Sequence, residues 1–270
     1  MSLTDPQTTR IAPRGVPRPR RSSGDVIDVT ERLRALDGAR PADLADVAPT
    51  PQVVPATRSE QASRILNVTI AAVAVVLLSP LMLLIALAVR LTSHGPILYM
   101  QTRVGLDRRQ TLVNALYDRR MQDLGGRIFT IYKFRTMHVD AESGSGAVWA
   151  SKKDPRVTSL GRFLRKTRLD ELPQLFNVLT GDMNIVGPRP ERPSIFARLR
   201  SDIREYPLRQ LAKPGITGWA QINTDYDQSI EDVRRKVRYD LEYIRNQSLV
   251  HDLRIMAQTV PVILFRRGGW

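Results

Sequence analysis

From Ile65 to Val89 the chain runs 25 positions without a charged residue, and Ser79 and Pro80 stand near the middle of that run. A straight helix of that length would reach roughly 37 Å at about 1.5 Å per residue, enough for a bilayer core of about 30 Å. Proline lacks an amide donor and clashes with the preceding turn, so the helix is expected to bend or break near Leu78. Neither half alone, about 14 and about 9 residues, could span. Two geometries stay open: a spanning helix that tolerates its proline, and a hairpin that enters and leaves by one leaflet. Arg58 and Arg64 precede the run, and Arg90, Arg103, Arg108 and Arg109 follow it. Basic residues on both flanks suit the hairpin, because a spanning helix collects Lys and Arg on one side. At the bend the Ser79 hydroxyl is a candidate partner for the freed backbone groups. The run starts too far in and is too long for a signal peptide, and it lacks a small-residue cleavage site.

Beyond it, polarity alternates over Pro96–Val104 and Arg127–Thr136, which predicts two strands. Residues 108–124 are polar and helix-prone. Thr158–Leu169 predicts a basic amphipathic helix. A further helix is expected to open at Asp170, run to Leu179 and close at Gly181. Met183–Val186 predicts a short strand, Ile216–Ile222 an extended segment, and Pro193–Tyr206 and Ile230–Gln247 helices. Leu249–Phe265 is apolar around Pro261, and the Arg266, Arg267 and Trp270 that follow suit a membrane interface. Residues 1–60 read as a polar tail rich in Pro, Arg, Asp and Ala, with at most a short helix near Val29–Leu36.

Charge sharpens this picture. The chain has 270 residues and a formal net charge of +14. Residues 1–60 hold nine Lys/Arg against eight Asp/Glu, so nearly all the excess lies in 61–270. Of the 41 basic residues only six are lysine. Arginine offers a planar fork that grips phosphate in two places. Such a surface suits nucleic acid, anionic lipid or phosphorylated substrates. Against nucleic acid stand 6% aromatic residues, no recognisable nucleic-acid module and the apolar run. With no Cys, disulfides and thiolate metal sites are excluded, and three His without paired spacing argue against zinc.

Three clusters could carry chemistry. Lys133 and Arg135, at i and i+2 of a strand, would share a face and could hold two oxyanions of a diphosphate, or simply line a solvated edge. Asp170 and Glu171 begin a predicted helix. Asp170 could merely cap it. Alternatively, an ionised carboxylate there could attack phosphorus while its neighbour holds Mg²⁺, a hard cation that bridges substrate phosphates. Arg189 sits between Pro188 and Pro190, either in a plain turn or as a cation whose backbone is fixed.

The text KFRTM (133–137), DPRVTSLGRFLRKTRLDELPQLFNVLTGDMNIVGPRPE (154–191), KPGITGWAQIN (213–223) and YDLEYIRNQSLVHDLRIMAQTV (239–260) resembles the bacterial sugar transferase family. These are monotopic phosphoglycosyl transferases that start glycan assembly on polyprenyl phosphate, and the likeness covers about 64–270. Glu191-Arg192-Pro193 and the GWAQIN ending look most like hexose-1-phosphate transferases of exopolysaccharide pathways.

The resemblance implies roles. Asp170 matches the nucleophile that takes a sugar phosphate from a UDP-sugar and expels UMP. Glu171 matches its partner near Mg²⁺, so both carboxylates become metal-site candidates. Lys133, Arg135 and Arg189 match positions near the phosphates. Ser79 and Pro80 match a helix-breaking pair in a re-entrant helix, which favours the hairpin. The implied fold class is α/β, mostly helical: a small catalytic domain on a re-entrant membrane helix with interfacial amphipathic helices. The implied divisions are 1–60, a disordered cytosolic tail; 61–92, the re-entrant membrane helix; and 93–270, the catalytic domain. The implied partners are UDP-sugar, polyprenyl phosphate and membrane lipid, not nucleic acid, with a homo-oligomer left open. The implied location is the bacterial inner membrane with the catalytic domain facing the cytosol.

Two features depart from the family pattern. An insert around 107–125 separates Gln101–Gly105 from Gly126–Phe129. A polar tail stands where larger relatives carry extra membrane helices, so the chain resembles the catalytic core form. A catalytically silent anchored relative is the rival reading, although both carboxylates are present.

Overall fold

The computed structural model describes residues 53–107, 125–141, 154–224 and 229–265, with side chains to 262. Residues 1–52 of the expected tail, its short helix near 29–36, the helix-prone 108–124 and the terminal Arg266–Trp270 lie outside the described residues, whereas Val53 packs into the core and Arg58 pairs with Asp252 at 2.8 Å.

Helix α1 spans Glu60–Thr92, 33 residues, and is long and apolar enough to cross a membrane by length and composition. Ser59 caps it by accepting from the amide of Ala62 at 3.2 Å. Pro80 lies inside the helix, which continues through it rather than stopping near Leu78. Ser79 offsets the loss: its hydroxyl donates to the carbonyl of Val76 at 2.8 Å. Much of α1 faces outward. Val76, Leu77, Leu83, Leu84, Leu87 and Leu91 are each at least 60% exposed.

Strands β1 (Leu98–Val104) and β2 (Ile128–Phe134) form an antiparallel hairpin in which Tyr99 pairs with Lys133 and Leu98 with Phe134. Helix α2 (Ser159–Thr167) follows, capped by the Thr158 hydroxyl. A 3-10 turn at Leu169–Glu171 then leads to helix α3 (Gln174–Thr180). Strand β3 (Asn184–Val186) pairs in parallel with β4 (Gly215–Thr217). Between them run helix α4 (Pro193–Asp202) and a 3-10 helix at Tyr206–Leu211. The extended segment expected to reach Ile222 stops at Thr217, because Gly218 starts the short helix α5 (Trp219–Asn223). Helices α6 (Ile230–Asn246) and α7 (Leu249–Phe265) follow, and the described residues are mostly helical with two small sheets.

Among the described residues three apolar clusters join these pieces. The largest packs α4, α6 and α7 around Phe196, Tyr206, Tyr243 and Ile255. A second sets Ala71 of α1 against Phe129, Ile131, Leu175 and Val178. The third sets Ile85 and Val89 against Phe134 and Leu164. Polar ties fix the same contacts. Arg64 donates to the carbonyls of Val178 and Leu179, satisfying the open end of α3. Buried Asn67 of α1 accepts from the amide of Ile185 at 2.6 Å. One face of the apolar helix is thereby bolted to the sheets, and the rest is left for another medium.

Candidate active site

Asp170 and Glu171 sit in the 3-10 turn, both buried at 7% exposure. The chain reaches them through Arg168, whose φ of 60° ends α2 in a left-handed cap. Pro173 has no amide hydrogen, so it precedes α3 rather than lying within it. The helix expected from Asp170 therefore begins only at Gln174, and no side chain caps either element. Asp170 is not a helix cap.

Asn177 places the turn against the hairpin. Fully buried on α3, it donates to the carbonyl of Thr130 at 2.7 Å and accepts from the amide of Tyr132 at 3.1 Å. Lys133 is the next residue of β2. Its ammonium donates to Glu171 Oε1 at 2.7 Å. Arg189 Nη2 donates to the same oxygen at 2.8 Å, and its Nη1 reaches Gln221 Oε1 at 3.2 Å.

The loop carrying Arg189 is stitched to β4 by Gly187 N to Thr217 O at 2.9 Å and Gly215 N to Pro188 O at 3.0 Å. A Cβ on Gly187 would lie 2.2 Å from the Lys213 carbonyl, so the close approach requires glycine. Arg209, paired with Asp240 at 2.6 Å, donates to the Arg189 carbonyl at 3.1 Å.

The two carboxyl groups are driven apart in acidity. Burial opposes ionisation of Glu171, but Arg189 and Lys133 outweigh it and hold the group well below the usual carboxylate range. Asp170 is pushed up to about 6, by burial first and by the Glu171 charge second. Its Oδ1 is buried without a hydrogen-bond partner among the described residues. Burial also pulls the Lys133 ammonium down, against the attraction of Glu171.

All five predicted site residues, Lys133, Arg135, Asp170, Glu171 and Arg189, line one cavity of about 560 Å³. Arg135 parts company with Lys133, however. Strand β2 ends at Phe134, and Arg135 Nη2 donates at 2.7 Å to both the carbonyl and the hydroxyl of Ser93, the C-cap of α1. The cavity adds residues that lie within the family-like motifs beside the candidates, among them Arg156, Arg165 and Arg168. Gln221 likewise lies in the GWAQIN motif, and only the fold brings it to Arg189. Asp240 lies in the YDLEYIRN motif in the same way, and Arg209 carries no sequence signal.

Among the described residues no group of three or more metal-ligating side chains occurs. A Mg²⁺ ion does not need one: it commonly takes one or two carboxylates and completes its shell with substrate phosphates and water. The unpartnered Asp170 Oδ1 beside ionised Glu171 fits such a donor set.

The carboxylate pair, with one acid pushed up and the other held down, thus lies buried among cations in a single cavity. The chain belongs to the bacterial sugar transferase family, whose model matches residues 58–266. It is 42% identical over 196 residues to the UDP-glucose:undecaprenyl-phosphate glucose-1-phosphate transferase of Escherichia coli K12, covering 72% of this chain and 38% of that protein. A protein of the same name from Caulobacter vibrioides is 42% identical over 203 residues, covering 74% of this chain and 69% of that one. An Aeromonas hydrophila UDP-N-acetylgalactosamine-undecaprenyl-phosphate N-acetylgalactosaminephosphotransferase is 40% identical over 204 residues, 76% of this chain and 44% of that protein. The chain thus spans less than half the length of several curated relatives it matches.

Proposed function

We propose that the protein transfers a sugar 1-phosphate from a UDP-sugar, a UDP-hexose by the relatives' names, to undecaprenyl phosphate and releases UMP. The observation that carries this reading is the Asp170–Glu171 pair, with Glu171 held ionised by Lys133 and Arg189 and Asp170 bare at Oδ1.

In the first step an oxygen of ionised Asp170 bonds to the sugar-bearing phosphorus. The bond from that phosphorus to the oxygen shared with the other phosphate breaks, and UMP leaves with the electron pair. In the second step an oxygen of the lipid phosphate bonds to the same phosphorus and Asp170 leaves as carboxylate. Splitting the transfer lets one site serve a soluble and a lipid substrate in turn. Lys133 and Arg189 neutralise charge on the transferring group. Asp170, Glu171 and substrate phosphates would hold Mg²⁺, which when bound supplies further charge neutralisation.

The exposed apolar flank of α1 sets this chemistry at headgroup height. We place the helix as a re-entrant hairpin in the inner membrane, with the catalytic part on the cytosolic side, and the reaction as the first membrane step of exopolysaccharide or related glycan synthesis. Incubating purified protein with a panel of UDP-sugars, undecaprenyl phosphate and Mg²⁺, and measuring UMP and labelled lipid, tests the reading. At least one UDP-sugar should give both products in equal amounts, and none doing so would reject it.

A further inference from the structure

The β1–β2 hairpin has two faces of opposite character. Side chains alternate along a strand, and directly paired residues share a face. Tyr99, Gln101 and Lys133 turn to the polar cavity of the carboxylate pair. Met100, from the intervening position, lines a second cavity of about 560 Å³ with no charged residue among the described residues of its wall. That groove runs between α1, β1 and the start of α3, with Val75, Met82, Ala86 and Phe176 in its wall. The two cavities share Pro96, Leu98 and Phe134, so they adjoin at one end of the hairpin.

Arg135 stands beside that shared wall. It is 6% exposed, and its Nε and Nη1 have no hydrogen-bond partner among the described residues. Only Nη2 is committed, to Ser93. The turn holds the guanidinium tightly: Gly95 has φ +114°, and a Cβ there would lie 2.3 Å from Arg135 Nη1. A buried guanidinium with open donors calls for an anion. Lys133 and Arg189 already meet at Glu171, so Arg135 is the cation of a separate station.

Resting on the transfer reaction proposed above, we infer that the groove takes the first isoprene units of the polyprenyl acceptor and that Arg135 holds its phosphate. The occupant must join a long hydrocarbon to one phosphate, because an uncharged groove and a buried cation adjoin. It must also enter from lipid, because the groove is built partly on the apolar helix. A diphosphate nucleotide offers no hydrocarbon to fill the groove.

Two readouts test this. A diazirine-bearing undecaprenyl phosphate, photolysed on the detergent-solubilised full chain without UDP-sugar, should label peptides containing Met100 or Phe176. Excess undecaprenyl phosphate should compete this labelling away, and ordinary phospholipid should not. Equal competition by phospholipid would mean a nonspecific lipid surface and overturn the inference. In steady-state assays Met100→Asp and Arg135→Gln should each raise the acceptor KM about tenfold or more and leave the donor KM within about twofold. Met100 is 64% exposed, so its replacement does not disturb the core. An unchanged acceptor KM in both variants, or a raised donor KM in Arg135→Gln, would overturn the assignment. Failure of the wild-type chain to turn over any UDP-sugar would strike the reaction, while the photolabel still decides the groove.

Discussion

The hydroxyl of Ser79 donates to the carbonyl of Val76 at 2.8 Å, and Val76 is the residue whose acceptor Pro80 leaves without a helical donor. The pair explains how a proline sits inside a 33-residue helix. An orphaned carbonyl there costs several kcal/mol in the absence of water, and a neighbouring hydroxyl removes that cost.

The helix path is the first expectation. The chain has no cysteine, so single cysteines can be introduced cleanly. Arg20→Cys and the exposed Glu242→Cys should react with an impermeant maleimide from the same side of inner-membrane vesicles. Labelling from opposite sides would establish a span. Adding Pro80→Leu should shift part of the population towards opposite-side labelling, since the helix could then run straight.

Asp170 should carry the sugar phosphate during turnover. Mixed with UDP-sugar and Mg²⁺ but no lipid, the wild-type protein should release a burst of UMP and gain the sugar-phosphate mass on the peptide containing Asp170. Asp170→Asn should give neither. A UMP burst without that adduct would sink the assignment.

The same substitution should stabilise the metal-free protein. Folding raises the Asp170 pKa from 3.8 to about 6. The folded state therefore binds this proton more tightly than the unfolded chain. Asp170 accordingly lowers stability as pH rises from about 4 to about 6, and keeps it lowered above that. Asp170→Asn should gain up to about 3 kcal/mol at pH 7 in EDTA, with the gain fading below about pH 4. Chemical denaturation across pH measures this, and a pH-independent difference would refute it.

Arg189→Lys should cost about 10- to 100-fold in kcat/KM although the charge is kept. Arg189 spans Glu171 Oε1 and Gln221 Oε1 with two nitrogens, and a lysine ammonium is a single point that cannot repeat the fork. Wild-type turnover in this variant would reduce Arg189 to a field charge.

Turnover should stop in excess EDTA and return with Mg²⁺. Full activity in EDTA would exclude the metal role of Asp170 and Glu171.

The apolar helix and the two strands were legible because each is written in local periodicity: a long uncharged run, and alternation over seven-residue strands; their pairing was not. The turn at Asp170 carries the sequence marks of a helix start, yet the helix begins at Gln174. Its shape depends on a left-handed Arg168 and on where Pro173 permits the next helix to begin, and composition signals neither. The family motifs gathered Lys133, Asp170, Glu171 and Arg189 in advance. They could not say that Lys133 and Arg189 share one oxygen of Glu171, or that Arg135 binds Ser93 at the far end of the helix. Those contacts join residues 18 to 42 positions apart and exist only after packing.

Asn177 has one more consequence. A primary amide presents one acceptor and one donor, as a peptide group does. By bonding the Tyr132 amide and the Thr130 carbonyl, its side chain occupies the free margin of β2 as a one-residue third strand would. A two-stranded ribbon with a bare margin invites pairing with another chain, and here the invitation is withdrawn. Amide exchange at Tyr132 should thus report α3 lifting from the ribbon.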